Sequence, residues 1–343
     1  MLGLLLILFL APFHVLTLPS SFSFPADQLV LQSVGNPAIE TEAAAAPSPI
    51  QLIYQFKDIV ALENLAVRSN GHLVLTASNQ PNVYDMNPNA RNAPPKPLPR
   101  IPGVTSLTGI VETAPDVFAV VAGNWSATFQ GTPGSFSIWS VDFNPSQPTV
   151  KRIASIPEAD ALNGITSLKG SPDIVLFADS ALGAVRWLNV TSGEYNVTIQ
   201  SPLFTNTSQI PIGINGIRTY DGHLYYLNSA QMTYGRVPLN VDGRGVAGEV
   251  QILARTHLPA IFDDFDMDWE GNAWVATHSN MLGQITVEGK QRNMTGSGNT
   301  ELVEPTSVQF GRGSKQLEKT IYMTAAGNGK VGGQVLAINS CLM

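Results

Sequence analysis

The chain has 343 residues, 44% of them hydrophobic and 13% charged, with 19 basic against 26 acidic side chains and a net charge of −7. Without any cluster of Lys or Arg, that balance excludes the basic face on which nucleic-acid binding rests. A single cysteine, Cys341, excludes an intrachain disulfide.

The opening residues, MLGLLLILFLAPFHVLTLPS, carry an apolar run from Leu2 to Leu10. The run is too short to span a membrane as a helix and suits the core of a secretory signal peptide over residues 1–20. Five Asn-X-Ser/Thr sequons, at Asn124, Asn189, Asn196, Asn206 and Asn293, point the same way. The expectation is a glycosylated protein of the secretory pathway, secreted or held in the lumen of the ER or a vesicle. Residues 21–49 lack a sustained period and end in an Ala run and Pro, which predicts an extended N-terminal arm.

From residue 50 the chain becomes repetitive. Ile50–Phe56 (IQLIYQF) alternates apolar and polar residues and reads as a strand. After it, one phrase recurs: a polar residue, a short apolar strand, a turn with Gly or Asp, and a second apolar strand. The copies start at Glu63, Thr108, Asn163, Asn215, Asp263 and Glu304, between 41 and 55 residues apart. Short strands at that period are the mark of a β-propeller, so residues 50–343 are predicted to be all-β with six blades. The strand at Ile50–Phe56 is left over and is expected to close the ring by joining the sheet of Gln334–Ile338. The Pro-rich stretch Ala93–Pro102 is expected to be a surface connector. Helical periodicity is nearly absent, which excludes a doubly wound sheet or an α/β barrel.

A propeller brings the equivalent residue of every blade to one channel. Here these residues are Glu63, Thr108, Asn163, Asn215, Asp263 and Glu304. Glu63 and Asp263 each stand eight residues before a turn glycine, Gly71 and Gly271; Asn163 and Asn215 stand seven before Gly170 and Gly222. Two carboxylates and two amide oxygens, from Glu63, Asn163, Asn215 and Asp263, suit a hard divalent cation of the calcium type. Taken singly, each also suits a strand-start cap.

The turns after the middle strands should open on the same face. They carry Asn79, Asn124–Trp125, Asp179–Ser180, Asn228–Ser229, His278 and Ala326. Trp125 and Phe129 beside polar groups predict an apolar pocket with a few directional hydrogen bonds. Thr108, Asn163 and Glu304 join them as candidate pocket residues, and Asp263, His278 and Asn124 are the catalytic candidates. A pocket position for Asn124 would leave its sequon unglycosylated. No nucleophile elbow, zinc motif or phosphate-cradling glycine loop is present.

The phrases at Glu63–Thr76, Asn163–Asp179, Asn215–Asn228 and Asp263–His278 resemble the senescence-marker-protein, gluconolactonase and luciferin-regenerating-enzyme family. That resemblance covers most of residues 50–340 and implies a six-bladed propeller. It implies a divalent cation held by Glu63, Asn215 and Asp263, with Asn163 near the substrate and Asp263 as the base of a lactonase. The finer wording, LNGITSL, VLFADSALGAVRWLNVTSG, DDFDMDWEGNAWVATH and EPTSVQFG, resembles a fungal branch with secretory leaders. That branch includes hetero-Diels–Alderases, which join a tropolone-derived o-quinone methide to a humulene-type alkene. The resemblance implies two small apolar partners, a polyketide tropolone and a terpene, and no required cofactor. Three functions are therefore expected, in this order: a pericyclase, a cation-dependent lactonase or ester hydrolase, and a non-enzymatic small-molecule binder.

Overall fold

Six four-stranded antiparallel sheets form the computed structural model, which describes residues 50–90, 93–256, 261–278, 280–295, 301–314 and 317–342. The signal peptide expected at 1–20 and the arm expected at 21–49 lie outside the described residues. The innermost strands are Leu62–Val67, Ser106–Ala114, Leu162–Leu168, Ile214–Tyr220, Ile261–Met267 and Pro305–Phe310. Each touches the next, and the sixth touches the first, so the blades close into a ring. This is the six-bladed propeller that the repeat predicted.

Closure is made by the leftover strand. Ile50–Gln55 pairs antiparallel with Gln334–Asn339, with Ile50 opposite Ile338 and Gln55 opposite Gln334. It supplies the outer strand of blade six, and so the sheet edge there is covered.

The second strands of the blades, such as Leu73–Ala77 and Ala273–His278, are buried on both faces, which is why they read as apolar runs instead of alternating. Outer strands alternate, as in Thr149–Ser155, and expose one side. The core is a ring of six clusters, one at each blade interface. Between blades three and four, for example, Leu176, Trp187, Phe204, Ile217 and Tyr226 pack together. At the seam, Phe56, Leu62, Leu75, Tyr322 and Val335 join blade six to blade one. The turn glycines Gly71, Gly170, Gly222 and Gly271 all have positive φ, between 72° and 94°, at the tight turn between first and second strands.

One expectation needs correcting. The Pro-rich stretch is more than a connector, because Lys96–Pro97 forms the outer strand of blade one against Tyr84 and Asp85. Leu98 and Ile101 then turn inward onto Val120 and Trp139. Proline is tolerated there because an edge strand has no further partner for its missing N–H.

Candidate active site

Every inner strand opens with one or two paired residues and then slips in register. Leu62, Leu107, Leu162, Ile214, Phe262 and Pro305 are paired, and the ladder resumes two or three residues later. The slip leaves two unpaired positions in each of blades one to five and one, Thr306, in blade six; together with Ser307, which pairs with Thr324, they stack as two rings around the axis. The upper ring is Glu63, Thr108, Asn163, Asn215, Asp263 and Thr306. The lower ring is Asn64, Gly109, Gly164, Gly216, Asp264 and Ser307.

Thr306 therefore takes the sixth ring place expected for Glu304. Pro305 starts the ladder of blade six, and Glu304 sits outside it in a turn with φ of 58°. Thr306 matches Thr108: each hydroxyl donates to a backbone carbonyl of the next blade, Leu62 O at 3.3 Å and Leu162 O at 3.2 Å.

Above the upper ring lies a cavity of about 510 Å³. Its floor holds Glu63, Thr108, Asn163, Asn215, Asp263 and His278, and its walls include Ile59, Trp125, Phe129, Ile210, Ile212 and Ile261. The four proposed cation ligands and the pocket candidates Thr108, Trp125, Phe129 and Asn163 thus meet in one place. The aromatic wall comes from the loop after Gly123, bridged between Trp125 and Gly131. Trp125 is set edge-on against Phe136, with ring centroids 5.7 Å apart. The segment Gln209–Ile212 closes the cavity from blade four; sequence reading passed over it.

Two candidates lie off the cavity. The Asn124 Oδ1 accepts from Thr105 N at 2.9 Å, so the side chain ties one loop to another. Glu304 stands behind His278, its Oε2 3.1 Å from Nδ1.

His278 is the electrostatic centre. Its Nε2 lies 2.9 Å from Asp263 Oδ2, and its other ring nitrogen faces Glu304, so a carboxylate stands on each side of the imidazole. Burial alone would lower its pKa, but Asp263 and then Glu304 lift it to about 10. Burial pushes Asp263 above its ordinary value, against the pull of His278. Burial and the nearby Asp263 push Glu63 well above the usual carboxylate range, which favours its protonated, donating form. The Glu63 carboxyl and the Asn163 amide have no hydrogen-bond partner among the described residues, and both line the cavity.

The lower ring plugs the channel beneath. Asp264 Oδ2 accepts from Asn64 Nδ2 at 2.8 Å, Ser307 Oγ at 3.0 Å and Arg218 Nη2 at 3.0 Å. The other three positions used here are glycine. A β-carbon on Gly164 would fall 2.4 Å from Asn215 O, and one on Gly216 would fall 2.2 Å from Asp264 Oδ1. Glycine lets blades two to four draw together while blades five, six and one supply the plug. None of Asn64, Asp264, Ser307 or Arg218 was picked out by sequence reasoning, though the Asp263–Asp264 pair was a visible signal.

The residues fit a divalent cation poorly. Both Asp263 oxygens are engaged, Oδ2 with His278 and Oδ1 with Asn215 Nδ2 at 2.7 Å. Among the described residues, no three His, Cys, Asp or Glu side chains are arranged to hold a metal ion.

A pH dependence follows from the raised histidine. Its unfolded value is about 6.5 and its folded value about 10. The ion pairs therefore contribute in full below the first and are lost as pH rises through the second. The raised Glu63 and Asp263 act in the same direction, since the folded state holds their protons longer. Urea midpoints should fall between pH 6.5 and 10, and His278→Gln should flatten that fall. An unchanged slope in the variant would remove His278 as its source.

No protein-family model matches the chain. It is 26% identical over 91% of its length to a protein from a Phoma species provisionally named a hetero-Diels-Alderase, covering 94% of that protein. A second protein with that provisional name, from Sarocladium schorii, is 26% identical over 87% of this chain and 82% of its own. Among solved structures, a luciferin-regenerating enzyme superposes with a TM-score of 0.62, at 14% identity, over 84% of this chain and 94% of its own. A protein provisionally named gluconolactonase superposes at 0.58, with 13% identity, over 86% and 92%. The resemblance drawn from the repeat phrases agrees with both sets: the solved structures share the fold, and the sequence relatives carry the hetero-Diels-Alderase name.

Proposed function

We propose that the chain is a hetero-Diels-Alderase that joins a tropolone-type o-quinone methide to a humulene-type alkene. The observation that carries this reading is the cavity itself, apolar-walled over a polar floor whose unpartnered groups are the Asn163 amide and the Glu63 carboxyl. The similarity to proteins of that provisional name supports it.

The reaction asks little covalent chemistry of the protein. The terminal carbon of the heterodiene bonds to one alkene carbon and its oxygen to the other. Three π bonds become one, two σ bonds form, nothing leaves and nothing is oxidised. Trp125, Phe129 and the isoleucine wall would hold the two apolar partners face to face, which removes much of the entropic barrier. Asn163, and Glu63 in its protonated form, would donate to the heterodiene oxygen as negative charge develops there. Asp263 suits the rival hydrolytic reading less well, because His278 beside one oxygen and the Asn215 amide on the other favour its charged form and weaken it as a base.

The site would be reached in the secretory pathway, with glycans on the exposed sequons Asn196 and Asn293 more readily than on the half-buried Asn124, Asn189 and Asn206.

The test mixes purified protein with a tropolone quinone-methide precursor and humulene, beside a panel of simple lactones. The expected result is accelerated cycloaddition with one stereoisomer in excess, and no lactone turnover. Asp263→Asn should retain most of the cycloaddition rate, whereas a hydrolase losing its base falls by about 10²–10⁴. Background-rate, unselective adduct together with lactone hydrolysis that dies in Asp263→Asn would make the protein a hydrolase.

A further inference from the structure

We propose that His278 occupies the place a divalent cation would take beside Asp263, and that this site works with a built-in organic cation in place of a resident metal ion. The inference stands on contact geometry and does not depend on the cycloaddition reading.

A calcium ion takes about six to eight oxygens, and magnesium demands a near-octahedral set. Asp263 sits at the centre of the oxygen set implied by the family resemblance, and each of its oxygens already faces a donor nitrogen. The Oδ2 atom faces His278 Nε2 at 2.9 Å and the Oδ1 atom faces Asn215 Nδ2 at 2.7 Å.

The Asn215 amide is also turned the wrong way for a cation. Its Nδ2 reaches Ser229 Oγ at 3.0 Å as well as Asp263, and the Ser229 hydroxyl spends its one hydrogen on Phe262 O at 2.7 Å. Ser229 can therefore only accept from Asn215. Flipping the amide would set acceptor against acceptor at both contacts, so Asn215 presents N–H, not C=O, to Asp263.

His278 is held just as firmly. It ends the buried strand Ala273–His278, and its side chain is 4% exposed. Its Nδ1 faces Glu304 Oε2 at 3.1 Å, so leaving Asp263 would strand a second carboxylate. With a carboxylate at each ring nitrogen, the imidazole satisfies both only as a double donor. A metal ion seated on Asp263 would stand against that cation and displace one of its hydrogen bonds. The positive charge at this site is carried by a side chain and delivered through protons.

The experiment measures metal on the purified full-length protein. After dialysis against metal-free buffer, elemental analysis should find far less than one ion per chain. Adding millimolar Ca²⁺, Mg²⁺ or Mn²⁺ should leave the Tm unchanged. Side-chain nitrogen NMR should show His278 protonated at both nitrogens at pH 7 and indifferent to Ca²⁺. His278→Ser frees Asp263 Oδ2 and Glu304, and this variant should gain a Ca²⁺-dependent rise in Tm of several degrees. One tightly held ion per wild-type chain, or a His278 resonance that shifts on adding Ca²⁺, overturns the proposal. A His278→Ser protein that folds but ignores Ca²⁺ overturns the assignment of the seat. If that variant does not fold, the metal content and the NMR of the wild type decide.

Discussion

Asp264→Ala is expected to be among the most damaging single substitutions in this protein, although Asp264 is outside the cavity. The carboxylate is 2% exposed and gathers Asn64, Ser307 and Arg218 on one oxygen, while its other oxygen accepts from Phe265 N at 2.9 Å. Removing it leaves an arginine whose remaining acidic neighbour, Asp266, lies 3.9 Å away, and two buried polar side chains without their common acceptor. Breaking a buried charge pair by deleting one partner costs about 3–5 kcal/mol. The loss should appear as a lower urea midpoint with an unchanged m-value. Asp264→Asn keeps the shape and one acceptor, and should cost visibly less. A loss below about 1 kcal/mol for the alanine variant, the scale of a single ordinary hydrogen bond, would show that the plug is ornamental to stability. Blades one, five and six meet at this residue, so its effect should be global unfolding and not local fraying of one blade.

Asn163→Ala should have the largest effect on turnover among substitutions that leave the fold intact. Its amide lines the cavity without a partner among the described residues, so its removal leaves no protein group unsatisfied. If the amide donates to the heterodiene oxygen, losing a preorganised donor of that kind lowers kcat by about 10²–10³. The Tm should stay close to that of wild type, because no hydrogen bond within the described residues is lost with the amide. Trp125→Ala works differently. It removes an orienting wall, and its mark should be a changed ratio of stereoisomers together with a higher KM. Turnover by Asn163→Ala within twofold of wild type would take that residue out of the reacting carbonyl's reach.

Much of this architecture could be read from the chain alone, because a propeller writes its fold locally and repeatedly. Each copy of the phrase encodes a hairpin of neighbouring residues, and the turn glycines mark its tip. The spare strand Ile50–Gln55 needed only an unpaired edge to imply its partner. Five of the six upper-ring residues were legible for the same reason. The sixth was not, since blade six lacks the Asn-Gly or Asp-Asp opening and its ladder starts at Pro305, which puts the ring residue, Thr306, two residues beyond Glu304.

What only the tertiary structure decided lies between blades. Asn64 and Asp264 are 200 residues apart, and Asn64 and Ser307 are 243 apart, yet they share one plug. His278 reads in sequence as a lone histidine at a strand end; closure of the ring sets Asp263 on one side of it and Glu304 on the other. Those two contacts carry the proposal that the site holds its own positive charge. Local pattern specifies which residues start each strand. Which of them meet, and which oxygens remain open for a ligand, is settled only when the six blades close and long-range neighbours compete for the same hydrogen bonds.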